Sequence, residues 1–263
     1  MVEGFPAFAP EIASDNNGFD AAIYHELAQL EAGNFWFRSR NRLIAWALKR
    51  YFCAARNFLE IGCGTGYVLS GVAEALPALK LSGSEVSSSG LAHAAKRVPQ
   101  AQLMQMDARN IPYVEEFDVI GAFDVVEHIE DDAQVLRQIY RALAANAGVL
   151  LTVPQHPFLW SEYDVRAHHV RRYRARELKE RVMGAGFEII RITSFVSLLL
   201  PFMVLSRLLR RLPERDYDPF AEFRLSSPAN AVLEKILDLE RGLIASGISF
   251  PVGGSLMLVA RKR

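Results

Sequence analysis

Three glycines, Gly62, Gly64 and Gly66, follow directly on the apolar run Asn57–Ile61, and this junction constrains the fold more than any other part of the chain. The run is short enough for a strand, and helical residues follow the glycines as far as Leu76, where Pro77 stops them. Glycine lets a backbone bend sharply and lets a ligand approach it closely. The helix leaving such a turn presents N–H groups that its own backbone does not pair.

The rest of the chain repeats this rhythm. Residues 79–86 read as a second strand, 87–98 as a helix started by Ser87-Ser88-Ser89, 102–106 as a third strand and 117–123 as a fourth. A helix over 131–145 and a fifth strand over 148–153 follow. Residues 155–174 are polar and aromatic, 176–185 form a helix closed at Gly186, and 187–194 and 254–261 are the last two strands. Alternation of this kind implies parallel βαβ units with helices on both faces of one sheet. Upstream, Pro6, Pro10 and Asn16-Asn17-Gly18 mark 1–18 as loop. Residues 19–51 are helical, with Ile23, Leu27 and Leu30 on one face and Leu43, Ile44, Ala47 and Leu48 on another, and 34–40 join two helices. The division expected is an N-terminal helical lid over 1–54 and a main domain over 55–263 that includes an apolar and basic insertion at 196–250.

Composition narrows the partners. Lys and Arg number 30 and so do Asp and Glu, so no bulk charge draws the chain to nucleic acid, and no nucleic-acid partner is expected. The two cysteines, Cys53 and Cys63, make no disulfide framework and no zinc spacing, which suits a cytoplasmic protein. The N-terminus lacks the basic and apolar regions of a secretory signal. The longest apolar run, 195–206, contains Pro201 and falls short of the roughly 20 residues that span a membrane.

Two kinds of nucleotide cofactor use a strand–glycine–helix turn. The dinucleotide fingerprint G-x-G-x-x-G wants its third glycine where Tyr67 stands; the pattern here is G-x-G-x-G. Glu60, two places before Gly62, would repel a pyrophosphate but suits a sulfonium and an ammonium. Glu85 closes the second strand, where a carboxylate can accept both ribose hydroxyls, and Asp107 closes the third, where one can accept from an adenine amino group. Each residue alone reads equally as a solvated loop charge; together they line one crevice at the carboxyl ends of successive strands. The rivals are a nicotinamide-dependent oxidoreductase, opposed by Glu60 and Tyr67, and a cofactor-binding module without catalysis.

On these residues the sequence resembles the class I S-adenosylmethionine-dependent methyltransferases, in particular the small-molecule group that includes the ubiquinone-pathway O-methyltransferases. Residues 59–66 resemble the family's first motif, Glu85 its ribose-binding acid, Asp107 its adenine-binding acid, 117–129 its fourth-strand motif and 148–154 its fifth. The likeness covers 55–195 and the closing strand. It implies a doubly wound, Rossmann-like α/β fold whose seven-stranded sheet is mostly parallel, in the order three-two-one-four-five-seven-six with strand seven antiparallel. It implies S-adenosylmethionine as cofactor and S-adenosylhomocysteine as product. The contact set implied is Glu60, Gly62, Cys63, Gly64, Gly66, Glu85, Val86, Asp107, Ala108 and Phe123. The acceptor expected is a small molecule, methylated at oxygen.

Methyl transfer from a sulfonium is an in-line displacement that needs alignment and exclusion of water, and a general base helps a hydroxyl nucleophile. His128, His156 and His168 are the candidate bases; His128 reads equally as a packing or capping residue. The stretch with His168, His169, Arg171 and Arg172 is either a surface loop held by ion pairs or an acceptor contact gripping an anion. Asp164, His168 and His169 could ligate a metal, but adjacent histidines on an irregular loop are weak ground, and no metal site is assigned. Phe35, Trp36 and Phe37 either join the core or cover the cofactor, with Arg38 or Arg40 on its carboxylate. The segment 195–212, with Arg207, Arg210 and Arg211 behind an apolar run, suits packing on the sheet, the wall of a pocket for a lipid-like acceptor, or peripheral membrane contact.

Overall fold

The computed structural model describes residues 1–13, 21–209 and 224–263. Seven strands form one sheet: β1 (Asn57–Ile61), β2 (Lys80–Glu85), β3 (Gln102–Gln105), β4 (Phe117–Phe123), β5 (Leu143–Pro154), β6 (Phe187–Phe195) and β7 (Ser255–Lys262). Their order is β3-β2-β1-β4-β5-β7-β6. The first five pair in parallel, and β7 runs antiparallel between β5 and β6, as the resemblance implies. The central strands are buried on both faces, so they read as near-continuous apolar runs.

The helices are α1 (Ala21–Leu30), α2 (Phe35–Tyr51), α3 (Tyr67–Ala75), α4 (Ser88–Arg97), α5 (Asp132–Ala142), α6 (Glu162–Arg166), α7 (Ala175–Gly184), α8 (Leu200–Leu209) and α9 (Ser227–Ala245). Two apolar layers flank the sheet. One, with Val135, Leu136, Ile139, Leu178 and Val182, lies under α5 and α7. The other, with Leu43, Ile44, Leu48, Leu69, Leu91, Leu237 and Ile244, lies under α2, α3, α4 and α9.

The structure departs from the sequence reading in three places and adds detail in a fourth. Residues 35–40 are the first turns of α2 rather than a joint, because the Asn34 side chain accepts the Trp36 N–H at 2.8 Å and starts the helix there. Helix α5 stops at Ala142 and β5 begins at Leu143, where Leu143 pairs with Phe117. The segment before residue 13 is bound to the sheet edge: Ala7 bridges Gln105, whose buried amide bonds both backbone groups of Ala9. The insertion at 196–250 holds two helices, α8 and α9. Buried Glu240 of α9 accepts the Ser197 and Leu198 N–H groups at 2.7 Å each, which ties α9 to the start of α8. The Asn16-Asn17-Gly18 turn, Arg210 and Arg211 lie outside the described residues.

Candidate active site

The glycine turn has the backbone that the motif demands. Gly62, Gly64 and Gly66 sit at φ of +67°, +50° and +76°, where side chains are strained. A Cβ on Gly62 would stand 2.5 Å from the Val125 side chain, and one on Gly66 would stand 2.9 Å from the Ala94 backbone. A Cβ on Gly64 would meet only the Tyr24 ring, at an ordinary contact distance of 3.9 Å. Two of the glycines thus let the end of β4 and α4 close in, and the third lies under Tyr24 of α1.

Carboxylates stand at the ends of the neighbouring strands. Glu60, at the end of β1, is 2% exposed, and its Oε2 has no hydrogen-bond partner among the described residues. Burial pushes its carboxyl well above the usual range, and the Arg40 guanidinium pulls it back. Glu85, at the end of β2, accepts the Gly64 N–H at 3.0 Å and the Val86 N–H at 2.8 Å. The Tyr24 hydroxyl bonds Glu85 and Ser87, and burial of that phenol raises its pKa first of all. Asp107, just past β3, accepts the Arg109 N–H at 2.8 Å and pairs with its guanidinium. Val86 is held through its carbonyl by the Gln105 side chain, and Ala108 and Phe123 are buried at the same strand ends. Cys63 is buried with its thiol pushed up by burial, so it contributes backbone and packing.

The N-terminal helices are tied to this turn. Buried Glu31 accepts from the Thr65 hydroxyl at 2.7 Å and from Arg97 at 2.7 Å, and Arg97 also reaches the Ala28 carbonyl. Arg38 instead pairs with Glu234 of α9, away from the crevice. Arg40 stacks over Trp36 at 4.4 Å and pairs with Asp124, the residue after β4, which lies at φ +58°.

Beyond β4 a second cluster forms. Glu127 is fully buried, and neither carboxylate oxygen has a hydrogen-bond partner among the described residues. Burial and then the Asp124 charge push its carboxyl well up. His128 is half-buried against His169, their rings 4.7 Å apart and edge to face. Burial, followed by the His169 charge, lowers the His128 pKa to about 4. Asp164 is a buried hub: it accepts from His169 Nδ1 at 2.8 Å and from Arg172 at 2.7 and 3.0 Å, and it caps Ser161. Burial of Tyr163 beside Asp124 raises its phenol.

The structure therefore brings together Glu60, the glycines, Glu85 and Asp107 along one edge, and His128 along the next. His156 lies half-buried, stacked on Phe158 at 4.9 Å, with its Nε2 buried and without a partner among the described residues. His168 is exposed, at φ +56°. Arg171 and Arg172 do not face an anion site: Arg171 bonds the Ile129 and Glu130 carbonyls and pairs with Asp132, and Arg172 is held by Asp164. The sequence reading missed Tyr24, Asp124, Glu127 and the Glu31–Thr65–Arg97 network. Glu127 stands beside His128 in the stretch 117–129, and its position one residue from a candidate base was the available signal.

Comparison with known proteins agrees with this geometry. A family model described as a methyltransferase domain matches residues 27–192. A "Probable S-adenosylmethionine-dependent methyltransferase" of Mycolicibacterium smegmatis is 29% identical over 159 residues, 59% of this chain and 60% of that protein. A ubiquinone biosynthesis O-methyltransferase of Pseudomonas putida is 28% identical over 121 residues, 43% of this chain and 51% of that protein. The matches thus span less than two thirds of either relative. Among solved structures, the cyclase SpnF superposes with a TM-score of 0.58 at 22% identity, covering 86% of this chain and 83% of that one. Phosphoethanolamine N-methyltransferase 2 of Haemonchus contortus, in complex with S-adenosyl-L-methionine, does so with 0.56 at 23%, covering 84% and 52%. At these identities the structural likeness is one of fold.

Proposed function

The chain belongs to the methyltransferase-domain family, and from that premise we propose that it transfers the methyl group of S-adenosylmethionine to a small-molecule acceptor, at oxygen. The observation that carries this reading is the left-handed glycine turn, whose Gly64 N–H donates to Glu85, with Glu60, Glu85 and Asp107 at the carboxyl ends of three adjacent strands. The orphaned, buried Oε2 of Glu60 fits a cationic partner and disfavours a pyrophosphate, so the nicotinamide reading loses support. When bound, the cofactor supplies a methyl group on a positively charged sulfur.

The residues divide the work. Glu85 takes the ribose hydroxyls and Asp107 the adenine amine, while Val86, Ala108 and Phe123 wall the base and ribose. Gly62, Cys63, Gly64 and Gly66 supply the backbone surface. Glu60 faces the positive end, and Arg40, held by Asp124, stands where it can meet a carboxylate. Tyr24 of α1 and Glu31, in the turn between α1 and α2, cover the glycine turn and keep water out. Alignment of the acceptor supplies about 7–11 kcal/mol in favourable cases. Of the candidate bases His128 is the one beside the crevice, through Val125 and Gly62; His156 sits at the mouth, and His168 faces solvent. A histidine lowered to about 4 is neutral at pH 7 and a weak base, so positioning outweighs proton abstraction by His128.

Phe202 and Leu205 of α8 are 66% and 53% exposed, next to Arg207, which supports a lipid-like acceptor and peripheral contact with a membrane surface from a cytoplasmic location. Among the described residues no helix is long and apolar enough to cross a membrane. Liposome flotation tests that contact; protein that stays at the bottom with anionic vesicles removes it.

The decisive experiment is calorimetric titration with S-adenosylmethionine, S-adenosylhomocysteine and NADH. Binding of both adenosyl ligands, weakened in Glu85→Ala and absent for NADH, is expected. Folded protein that binds neither adenosyl ligand overturns the reading.

A further inference from the structure

Glu127, His128 and His169 each offer a ligand atom, and the three atoms lie within 4.8 Å of one another. Two ligands about 2.1 Å from one ion in a tetrahedral site lie about 3.4 Å apart, so a small relaxation brings all three onto one ion. The carboxylate is the unusual member. Both of its oxygens are buried without a hydrogen-bond partner among the described residues. A buried carboxylate in that condition carries a large desolvation penalty unless it stays protonated or meets a cation. Arg40 and Arg172 act on it only from a distance: Arg40 is paired with Asp124, and Arg172 with Asp164.

The imidazoles are oriented as metal ligands are. A ligating histidine donates its other ring N–H to a carboxylate or a backbone carbonyl, which fixes tautomer and ring direction. His169 has Nδ1 on the buried Asp164 carboxylate at 2.8 Å, so Nε2 is the nitrogen that would take an ion. The His128 ring bonds the backbone at Ala167 and His168. The two loops are locked together around the cluster, since Val170 N–H donates to the Glu127 carbonyl at 2.8 Å and Arg171 clamps the Ile129 and Glu130 carbonyls. The set differs from the Asp164, His168 and His169 combination weighed from sequence, because Asp164 turns to Arg172 and His168 faces solvent.

We propose that Glu127, His128 and His169 form a binding site for one divalent transition-metal ion, with Asp164 as the outer carboxylate that orients His169. Two histidines and a glutamate hold zinc in catalytic sites and leave a coordination position for water or a substrate oxygen. Val125, two residues before Glu127, packs on Gly62, which places the cluster close to the glycine turn. The ion site stands or falls independently of the methyl-transfer reading.

The test is metal uptake by the full chain. Protein stripped with chelator is dialysed against CoCl2 or ZnCl2, and bound ion is counted by atomic emission and, for cobalt, by visible absorption. About one ion per chain is expected, with the absorption of a four- or five-coordinate nitrogen and oxygen site. Glu127→Gln and His169→Ala should each weaken uptake by more than the roughly 10–100-fold that an outer partner is worth. His168→Ala, which changes the neighbouring exposed histidine, should leave uptake as in wild type. If Glu127→Gln fails to fold by near-ultraviolet circular dichroism, His128→Gln and His169→Gln decide in its place. Stripped wild-type protein that binds an adenosyl ligand, and so is folded, yet takes up no cobalt with the ion in large excess overturns the site. So does uptake undiminished in the folded ligand variants. Cobalt uptake without adenosyl binding would instead overturn the methyl-transfer reading and leave the ion site standing.

Discussion

The two sides of the candidate site are built differently. On the cofactor side each strand end contributes a short contiguous stretch, and its carboxylates are held by nearby backbone or by a neighbour on the same turn: Glu85 by the N–H groups of residues 64, 86 and 87, Asp107 by Arg109. On the other side, beyond β4, Glu127 has no hydrogen-bond partner among the described residues, and two other buried carboxylates are held by cations from elsewhere in the chain. Asp164 meets Arg172 and His169, and Asp132 meets Arg171 and Arg181. Backbone geometry shapes one side and buried ion pairs the other. Substitutions on the side beyond β4 should therefore act first on stability, and those on the cofactor side first on binding.

Asp164→Ala is the sharpest way to break that contrast, and it carries the largest expected effect. It leaves the buried Arg172 guanidinium without its partner, which costs about 3–5 kcal/mol, read by urea unfolding at pH 7. The loss has a pH signature. Burial raises the Asp164 pKa, but bonds from His169 and Arg172 outweigh it and bring the value from 3.8 down to about 2. A depressed carboxyl stabilises the fold above its ordinary value and ceases to do so as pH falls through the folded one. The gap between wild type and variant should hold above pH 3.8 and close as pH falls towards about 2. A variant as stable as wild type at pH 7 would dissolve the distinction between the two sides.

Glu85→Ala should show the opposite pattern. It removes charged acceptors of ligand and backbone hydrogen bonds, worth about 1.5–3 kcal/mol each, so adenosyl affinity should fall by about 10–150-fold in calorimetry with a smaller change in urea midpoint. Asp107→Ala should follow in the same direction with a smaller loss, about 3–10-fold, because Asp107 already shares its charge with the half-exposed Arg109. Loss of stability without loss of binding in either variant would mean that the cofactor side, too, is scaffold.

This difference in construction also decides what the sequence could tell. The glycine turn, Glu60, Glu85 and Asp107 lie in stretches whose local pattern sets both strand and ligand contact, so they are readable one segment at a time. Glu127 and His169 meet only because the loop after β5 folds back across the end of β4, and no local period encodes that return. Helix α9 was readable in part: Leu233, Ile236, Leu237 and Ile244 recur at helical spacing behind Ser226 and Pro228, but the exposed Val232 and Leu239 blur the stripe. Residues 35–40 misled because three successive aromatics resemble a joint, whereas the cap at Asn34 makes them the first turns of α2.

The smallest expected effect tests how the cover over the cofactor side works. Tyr24 is 4% exposed, packs over Gly64 and Gly90, and places its hydroxyl on Glu85 and Ser87. Glu85 is the acceptor that the proposed ribose contact needs, so the hydroxyl and the ribose compete for one carboxylate. Removing only the hydroxyl, in Tyr24→Phe, takes away a hydrogen bond worth about 0.5–1.5 kcal/mol while the ring stays in place. If α1 must give way for the ribose, the variant should bind S-adenosylhomocysteine about 2–10-fold more tightly and be slightly less stable alone. If the hydroxyl instead bridges Glu85 to the bound ribose, affinity should fall by a similar factor. The sign of that change, read in one titration, says whether the N-terminal helices compete with the cofactor or help to hold it.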